Sequence, residues 1–284
     1  MRLVVLSGLS GSGKSVALNA LEDAGYYCID NIPVALLQSF VDETLPRQDP
    51  AFSRVALCAD ARNAADIPRL PLLVQQLRKA GIACEVIFLQ ASEDVLLSRF
   101  SETRRKHPLT TDTVSLVEAL EQEARLLEPI GDIADLALDT STMNVHQLVD
   151  LIGNRVASRV EGELSILLES FGFKHGLPAD ADFVFDVRCL PNPYWEPSLR
   201  SLTGRDAAVR QYLEERPLVR AMVDDIAAFL QRWIPRYKDT RRPYLTVAIG
   251  CTGGRHRSVY VAEAVAKILL PGELVQTRHH GLRP

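Results

Sequence analysis

Gly8-Leu9-Ser10-Gly11-Ser12-Gly13-Lys14-Ser15 has the spacing G-x-x-x-x-G-K-[ST] of a phosphate-binding loop. It follows residues 2–7, a short β-branched run that reads as a strand. It precedes residues 15–24, where Val16, Leu18, Ala20 and Leu21 recur as on a helix that Gly25 can close. A strand, a glycine loop and a helix in that order distinguish a phosphate loop from a glycine-rich turn carrying an exposed lysine. The glycines let backbone N–H groups converge on phosphate oxygens, and the helix N-terminus adds its positive dipole. Lys14 is expected to reach the β- and γ-phosphates of a nucleoside triphosphate, with the Ser15 hydroxyl ligating Mg²⁺.

Outward from this loop, strand-like segments at 26–29, 54–59, 85–89 and 135–138 alternate with helix-like ones. That rhythm predicts a parallel sheet flanked by helices. It changes near residues 155–162, which places a junction between a domain of residues 1–155 and a second of residues 156–284. In the second, residues 163–170, 182–187 and 244–249 read as strands. Residues 218–234 form an amphipathic helix that Pro235 closes, 258–270 read as a helix, and Pro191–Pro197 is too proline-rich for a helix interior. The expected fold is α/β throughout, a P-loop kinase-like parallel-sheet domain followed by a second α/β domain.

Composition limits the function classes. The chain has 284 residues, 47% apolar and 24% charged, the profile of a globular protein, and no apolar run approaches a membrane span. Its start runs directly into the glycine loop, too short for a signal peptide, so the cytoplasm is the expected location. Five scattered cysteines without a C-x-x-C pair argue against a disulfide framework and a zinc knuckle. The net charge of −4 gives no global attraction to nucleic acid, so any RNA contact needs a local basic patch.

Two further groups of residues bear on the first domain. Residues 55–59 followed by Asp60 have the form of an apolar strand ending in a Mg²⁺-orienting carboxylate; Asp30, after 26–29, is the rival, and either could simply open a loop. Thr103-Arg104-Arg105-Lys106-His107-Pro108 concentrates cations past a helix, as a kinase lid does, or forms a solvated basic turn.

The second domain carries another strand–loop–helix, Gly250-Cys251-Thr252-Gly253-Gly254-Arg255-His256-Arg257-Ser258. Glycines, two arginines and a histidine at a helix N-terminus make an anion site. Cys251 through Ser258 also fits the cysteine-phosphatase pattern C-x₅-R-[ST], although a packed, unreactive cysteine is the commoner fate of a strand-end thiol. Binding of a phosphorylated small molecule without covalent chemistry is the expectation. Lys174 and His175, with Arg188, sit near predicted strand ends where they can line the same site.

Taken in order, Gly8–Ser15, Asp30-Asn31-Ile32-Pro33, Asp60-Ala61-Arg62-Asn63, Thr103–Pro108, Phe171-Gly172-Phe173-Lys174-His175-Gly176 and Gly250–Ser258 resemble the RapZ/YvcJ family along the whole chain. The resemblance implies an ATP- and GTP-binding protein with slow hydrolysis and Mg²⁺ as metal. It implies a guanine-nucleotide role for Asp60, Ala61, Arg62 and Asn63, while the loop spacing and the strand-end carboxylate themselves point to Lys14 and Asp60 as the catalytic residues. It further implies a phosphofructokinase-like second domain that senses an amino-sugar phosphate through Lys174, His175, Thr252, Gly253, Gly254, Arg255, His256 and Arg257. Small regulatory RNA and an RNase are the implied partners, in a homo-oligomer (tetramer or trimer), with no membrane partner. Two departures stand out: the tail Thr277–Pro284 is weakly basic, and Tyr194 stands where enteric members have histidine. Arg255, Arg257, Arg278 and Arg283 are the cations expected to carry any RNA binding. The rivals are a P-loop small-molecule kinase with Arg104 and Arg105 as lid residues, and an RNA adapter whose nucleotide site is only a switch.

Overall fold

A computed structural model describes residues 1–44, 49–160, 162–240 and 242–282, with the backbone but not the side chain of Asn63. The chain divides into two compact units, Met1–Ser158 and Arg159–Pro284.

The first unit runs β1 (Arg2–Gly8), α1 (Lys14–Asp23), β2 (Tyr27–Ile29), α2 (Val34–Thr44), β3 (Arg54–Cys58), α3 (Leu70–Lys79), β4 (Ala83–Gln90), α4 (Glu93–Thr103), α5 (Leu116–Gly131), β5 (Leu136–Asp139) and α6 (Val145–Ile152). Its five strands are parallel in the order β2-β3-β1-β4-β5. Every residue of β1 is buried, because helices cover both faces of a parallel sheet and an apolar run suits that position. Leu3, Val5, Val55, Leu57, Val86 and Phe88 build the core on one side with Leu37, Leu70, Leu77 and Leu127 from the helices. The connections reverse direction on either side of β1, and the crevice this leaves beyond its carboxyl end is where open α/β sheets bind ligands.

The second unit has β6 (Ser165–Gly172), β7 (Phe183–Asp186), α7 (Ala207–Glu214), α8 (Pro217–Asp239), β8 (Tyr244–Cys251), α9 (Arg257–Leu269) and β9 (Leu274–His279). Its four parallel strands are ordered β7-β8-β6-β9. Val219, Val223, Ile226, Leu230 and Ile234 repeat along one stripe of α8 and pack with Ile166, Leu168, Val247 and Ile249 of the sheet.

The structure changes two helix lengths from those the sequence suggests. The helix at 218–234 does not close at Pro235; α8 continues to Asp239. Proline removes one N–H and its bond, but Ile234 is anchored in the core and the Tyr237 ring packs against Phe183 at 5.9 Å. Helical periodicity in the sequence runs from 145 to 160, but α6 ends at Ile152 and the chain passes into a π-turn at Gly153–Ala157. Residues 274–279 add an edge strand, β9, paired with β6. Among the described residues no helix is long and apolar enough to cross a membrane.

Candidate functional site

The first loop joins the carboxyl end of β1, between β3 and β4, to α1. Gly13 occupies the N-cap position at φ 103°, a left-handed conformation that a side chain would strain, and no side chain caps α1. The first N–H groups of the helix are thus left for an anion. Lys14 folds back over the loop, its Nζ donating to the carbonyls of Gly8 at 2.6 Å and Leu9 at 3.0 Å. Those neutral acceptors hold the ammonium at the loop until a stronger anionic one replaces them. Ser15 is exposed in the first turn of α1, free to offer its hydroxyl to a metal beside a bound phosphate. The carbonyls of Gly11 and Ser12 accept from α4 and from the residue after β5. Arg99 of α4 donates to Gly11 O at 2.9 Å and to Thr140, and the Thr140 hydroxyl donates to Ser12 O at 2.9 Å. Burial lowers the pKa of Arg99.

Ser10 is held from α5. Its backbone N–H and hydroxyl donate to the Glu123 carboxylate at 2.8 and 2.6 Å. Burial works against the charge of Glu123, but the bonds from His107 and Ser10 and the charge of Lys14 outweigh it and keep the carboxyl below its usual range.

Asp60 lies at the end of β3 with its carboxylate buried, opening the short turn Ala61–Asn63. It accepts the Arg62 N–H at 3.0 Å and a two-pronged guanidinium contact, Nη2 at 2.7 Å and Nε at 3.0 Å. Burial opposes ionisation here too; the Arg62 bonds and the charge of Lys14 prevail and depress the Asp60 pKa. The same guanidinium is 3.7 Å from Asp30 at the end of β2, so the two rival carboxylates share one arginine. Both oxygens of Asp60 being engaged, direct metal ligation would first require Arg62 to move. Ala61 is fully buried, and the Asn63 side chain falls outside the described residues.

In the second unit, the loop after β8 turns through Gly254 at φ 72° into α9. Cys251 Sγ lies at its centre, accepting the Gly254 N–H at 3.3 Å and contacting the Ser258 hydroxyl at 3.2 Å. Burial pushes this thiol up, yet those donors together with Arg257 bring its pKa below that of a free thiol. Arg257, expected as an accessible anion-binding cation, is buried and donates to the carbonyls of Arg188 at 2.7 Å and Leu190 at 3.0 Å, and to the Thr252 hydroxyl at 3.3 Å. Among the described residues its Nε has no hydrogen-bond partner. Arg255 is exposed and donates to Ser201 O, while His256 is buried and burial depresses its pKa. Lys174 comes alongside, its backbone N–H donating to Thr252 O at 3.3 Å, and Gly253 lies against its side chain. His175 and Arg188 are exposed nearby, Arg188 lying over the Phe173 ring and paired with Asp186 at 2.6 Å. Arg278 is half-buried in β9, and Arg283 lies outside the described residues.

The structure therefore brings the glycine loop, Lys14, Ser15 and Asp60 to one end of the first sheet, and residues 251–257 with Lys174 to one end of the second. Arg104 and Arg105 are exposed, and the cation touching the phosphate loop is Arg99. Sequence reading missed Arg99, Thr140 and Glu123. Glu123 was findable: Ser115 and Glu118 form a capping box, and a carboxylate at position 123 interrupts the apolar stripe Leu116, Leu120, Leu127 that follows.

Comparison with known proteins agrees along the chain. The RapZ-like N-terminal domain matches residues 1–160 and the RapZ C-terminal domain residues 164–283. A nucleotide-binding protein of Thioalkalivibrio sulfidiphilus is 53% identical over 99% of this chain and 100% of its own length. Another, of Marinobacter nauticus, is 50% identical over 98% of this chain and 96% of its own. Among solved structures, shikimate kinase from Bacteroides thetaiotaomicron aligns over 54% of this chain and 96% of its own at 15% identity and a TM-score of 0.37. A gluconokinase from Sinorhizobium meliloti covers 53% and 89% at 20% identity and a TM-score of 0.35. The chain, matched in both of its units and along its whole length, belongs to the RapZ-like family.

Proposed function

We propose that this protein binds ATP and GTP at the Gly8–Ser15 loop, hydrolyses them slowly, and senses an amino-sugar phosphate at the loop of residues 251–257. One observation carries the first part: Lys14 is folded against its own loop carbonyls at a glycine-lined helix N-terminus that no described side chain caps, the geometry that receives a phosphate. The curated relatives at about half identity carry the name nucleotide-binding protein. Mg²⁺, held by Ser15 and oriented through the Asp60–Arg62 pair, would neutralise the phosphates; Lys14 fixes the terminal phosphate and Arg99 braces the loop that cradles it. In the second unit, the Gly254 turn into the N-terminus of α9, with the exposed Lys174 and Arg255 beside it, supports an anion at the loop mouth. The rival small-molecule kinase would place an acceptor near Asp30 and Arg62. Phosphate release from ATP or GTP without a phosphorylated acceptor supports the hydrolase; transfer to a small molecule with no free phosphate overturns it.

A second reading, in which the second unit of a homo-oligomer presents small RNA to an RNase, has one observation in its favour. Trp195 is 74% exposed beside Tyr194, and Arg200 lies over the Tyr194 ring at 4.8 Å. An exposed aromatic pair with a guanidinium suits unpaired bases, which stack on such platforms. Low-salt gel shifts test it: retention that falls steeply with salt and is lost in Trp195→Ala supports the adapter, and no retention of any RNA removes it.

A further inference from the structure

Glu123 places an ionised carboxylate on the buried stripe of α5, where an apolar side chain would be ordinary. Its side chain and that of His107 are both fully buried. The Phe100 and His107 rings are 5.3 Å apart, and Phe100 packs against an apolar cluster of Leu96 and Leu120 that Leu9 and Leu116 also join. Desolvating a carboxylate costs several kcal/mol, and here three donors offset that: the Ser10 N–H, the Ser10 hydroxyl and His107 Nε2 at 3.0 Å. The Leu109 N–H donates to His107 Nδ1 at 3.1 Å, which makes that nitrogen an acceptor and assigns the ring proton to Nε2, facing Glu123. The carboxylate therefore joins the phosphate loop on one side to the segment after α4 on the other. That segment leaves the helix through Arg104 in a left-handed turn and carries Arg104, Arg105 and Lys106 exposed.

A buried charge with three donors resists losing one, because the remaining two leave an under-satisfied carboxylate in a low-dielectric site. The phosphate loop and the basic segment should then shift together or not at all. We propose that Ser10, Glu123 and His107 form a latch that couples occupancy of the phosphate loop to the ordering of the basic segment at residues 104–109. The proposal rests on the nucleotide-binding reading above. Glu123 and His107 are positioning residues in it, acting through Ser10 and the backbone.

Hydrogen exchange of the full chain, with and without Mg²⁺ and a non-hydrolysable ATP analogue, tests the latch. In the wild type the analogue should slow exchange at least several-fold both in residues 8–15 and in residues 104–109. His107→Gln, whose amide N–H can stand in for Nε2–H, should keep both effects. His107→Asn, too short to reach Glu123 with a donor, should keep protection in 8–15 and lose it in 104–109. Without nucleotide, His107→Asn should also raise exchange in 8–15 several-fold over wild type. Equal coupled protection in His107→Asn and wild type overturns the latch. No protection anywhere in wild type overturns the nucleotide reading instead, and the nucleotide-free comparison then decides the latch: unchanged exchange in 8–15 contradicts it. Should His107→Asn not fold, Ser10→Ala, which removes one of the three donors, must weaken the coupled protection in 104–109, and full protection there overturns the proposal.

Discussion

The loops after β1 and β8 use the same device, a parallel strand running through glycines into a helix N-terminus, yet they hold their cations in opposite ways. Among the described residues Lys14 bonds to carbonyls of its own loop, Gly8 and Leu9. Arg257 is bonded to the carbonyls of Arg188 and Leu190, so it braces the segment after β7 while lying beside its loop. The centres differ too. A thiol sulfur accepts a loop N–H in the second unit, whereas no side chain caps the helix in the first. A single geometry thus holds one cation by its own loop and builds the other into the scaffold, and if each loop takes the ligand proposed above, mutations should separate the two.

The sharpest separation is between Lys14→Ala and Arg257→Ala. Loss of Lys14 removes a charge-assisted bond of about 1.5–3 kcal/mol, so triphosphate affinity should fall roughly ten- to over a hundredfold. Thermal melting should change less than in Arg257→Ala, since the two carbonyls uncovered belong to its own loop and the bond to Leu9 O is only part-buried. Arg257→Ala should lower stability of the second unit by about 2–3 kcal/mol, because it orphans buried carbonyls. Equal melting temperatures for the two variants would erase the contrast.

Asp60→Asn should lower Mg²⁺-dependent hydrolysis by roughly tenfold while metal-free nucleotide binding stays near wild type, since an outer carboxylate orients the metal's surroundings. If Asp30→Asn shows that pattern and Asp60→Asn does not, the acid at the end of β2 is the metal-orienting one.

The pH dependence should also divide the units. Burial holds His256 and His279 below the usual imidazole pKa near 6.5, so the unfolded chain takes up protons first. Their contribution to stability is complete above that value and is lost as pH falls through their depressed values. Chemical denaturation between pH 7 and pH 5 should therefore show the second unit weakening; a flat profile contradicts the buried neutral imidazoles.

The smallest effect belongs to Cys251. Cys251→Ser should leave sugar-phosphate affinity within about a few-fold, because the hydroxyl can still accept the Gly254 N–H. Alkylation followed by mass spectrometry should nonetheless modify Cys251 at lower pH than Cys58 or Cys84, whose burial raises both to about 12. Turnover of a phenyl phosphate that vanishes in Cys251→Ser would replace binding with covalent chemistry.

Local pattern made much of this readable. Gly13, Lys14 and Ser15 announce their loop because only one backbone arrangement suits that spacing, and the β-branched run before it can scarcely be anything but a buried strand. What was not legible depends on contacts between distant residues. Nothing near position 99 says that its guanidinium reaches Gly11 O, 88 residues earlier in the chain. Arg257 reads as a surface cation in any window and is buried only because residues 188–190 fold over it. Pro235 shows the reverse failure: a strong local stop signal yields to the anchoring of Ile234 and Tyr237. Strand β9 was hidden by its polar Gln276, Thr277 and Arg278, which suit an edge strand as well as a loose tail.

The most direct test of two loops serving two different phosphate ligands is a crossed calorimetric titration. Mg²⁺-ATP and glucosamine-6-phosphate are titrated separately into the wild type and into Lys14→Ala. The account predicts that the variant loses ten- to over a hundredfold in ATP affinity, as the missing charged bond requires, and keeps glucosamine-6-phosphate affinity unchanged. ATP affinity unaltered by Lys14→Ala, or both ligands lost together, would contradict it.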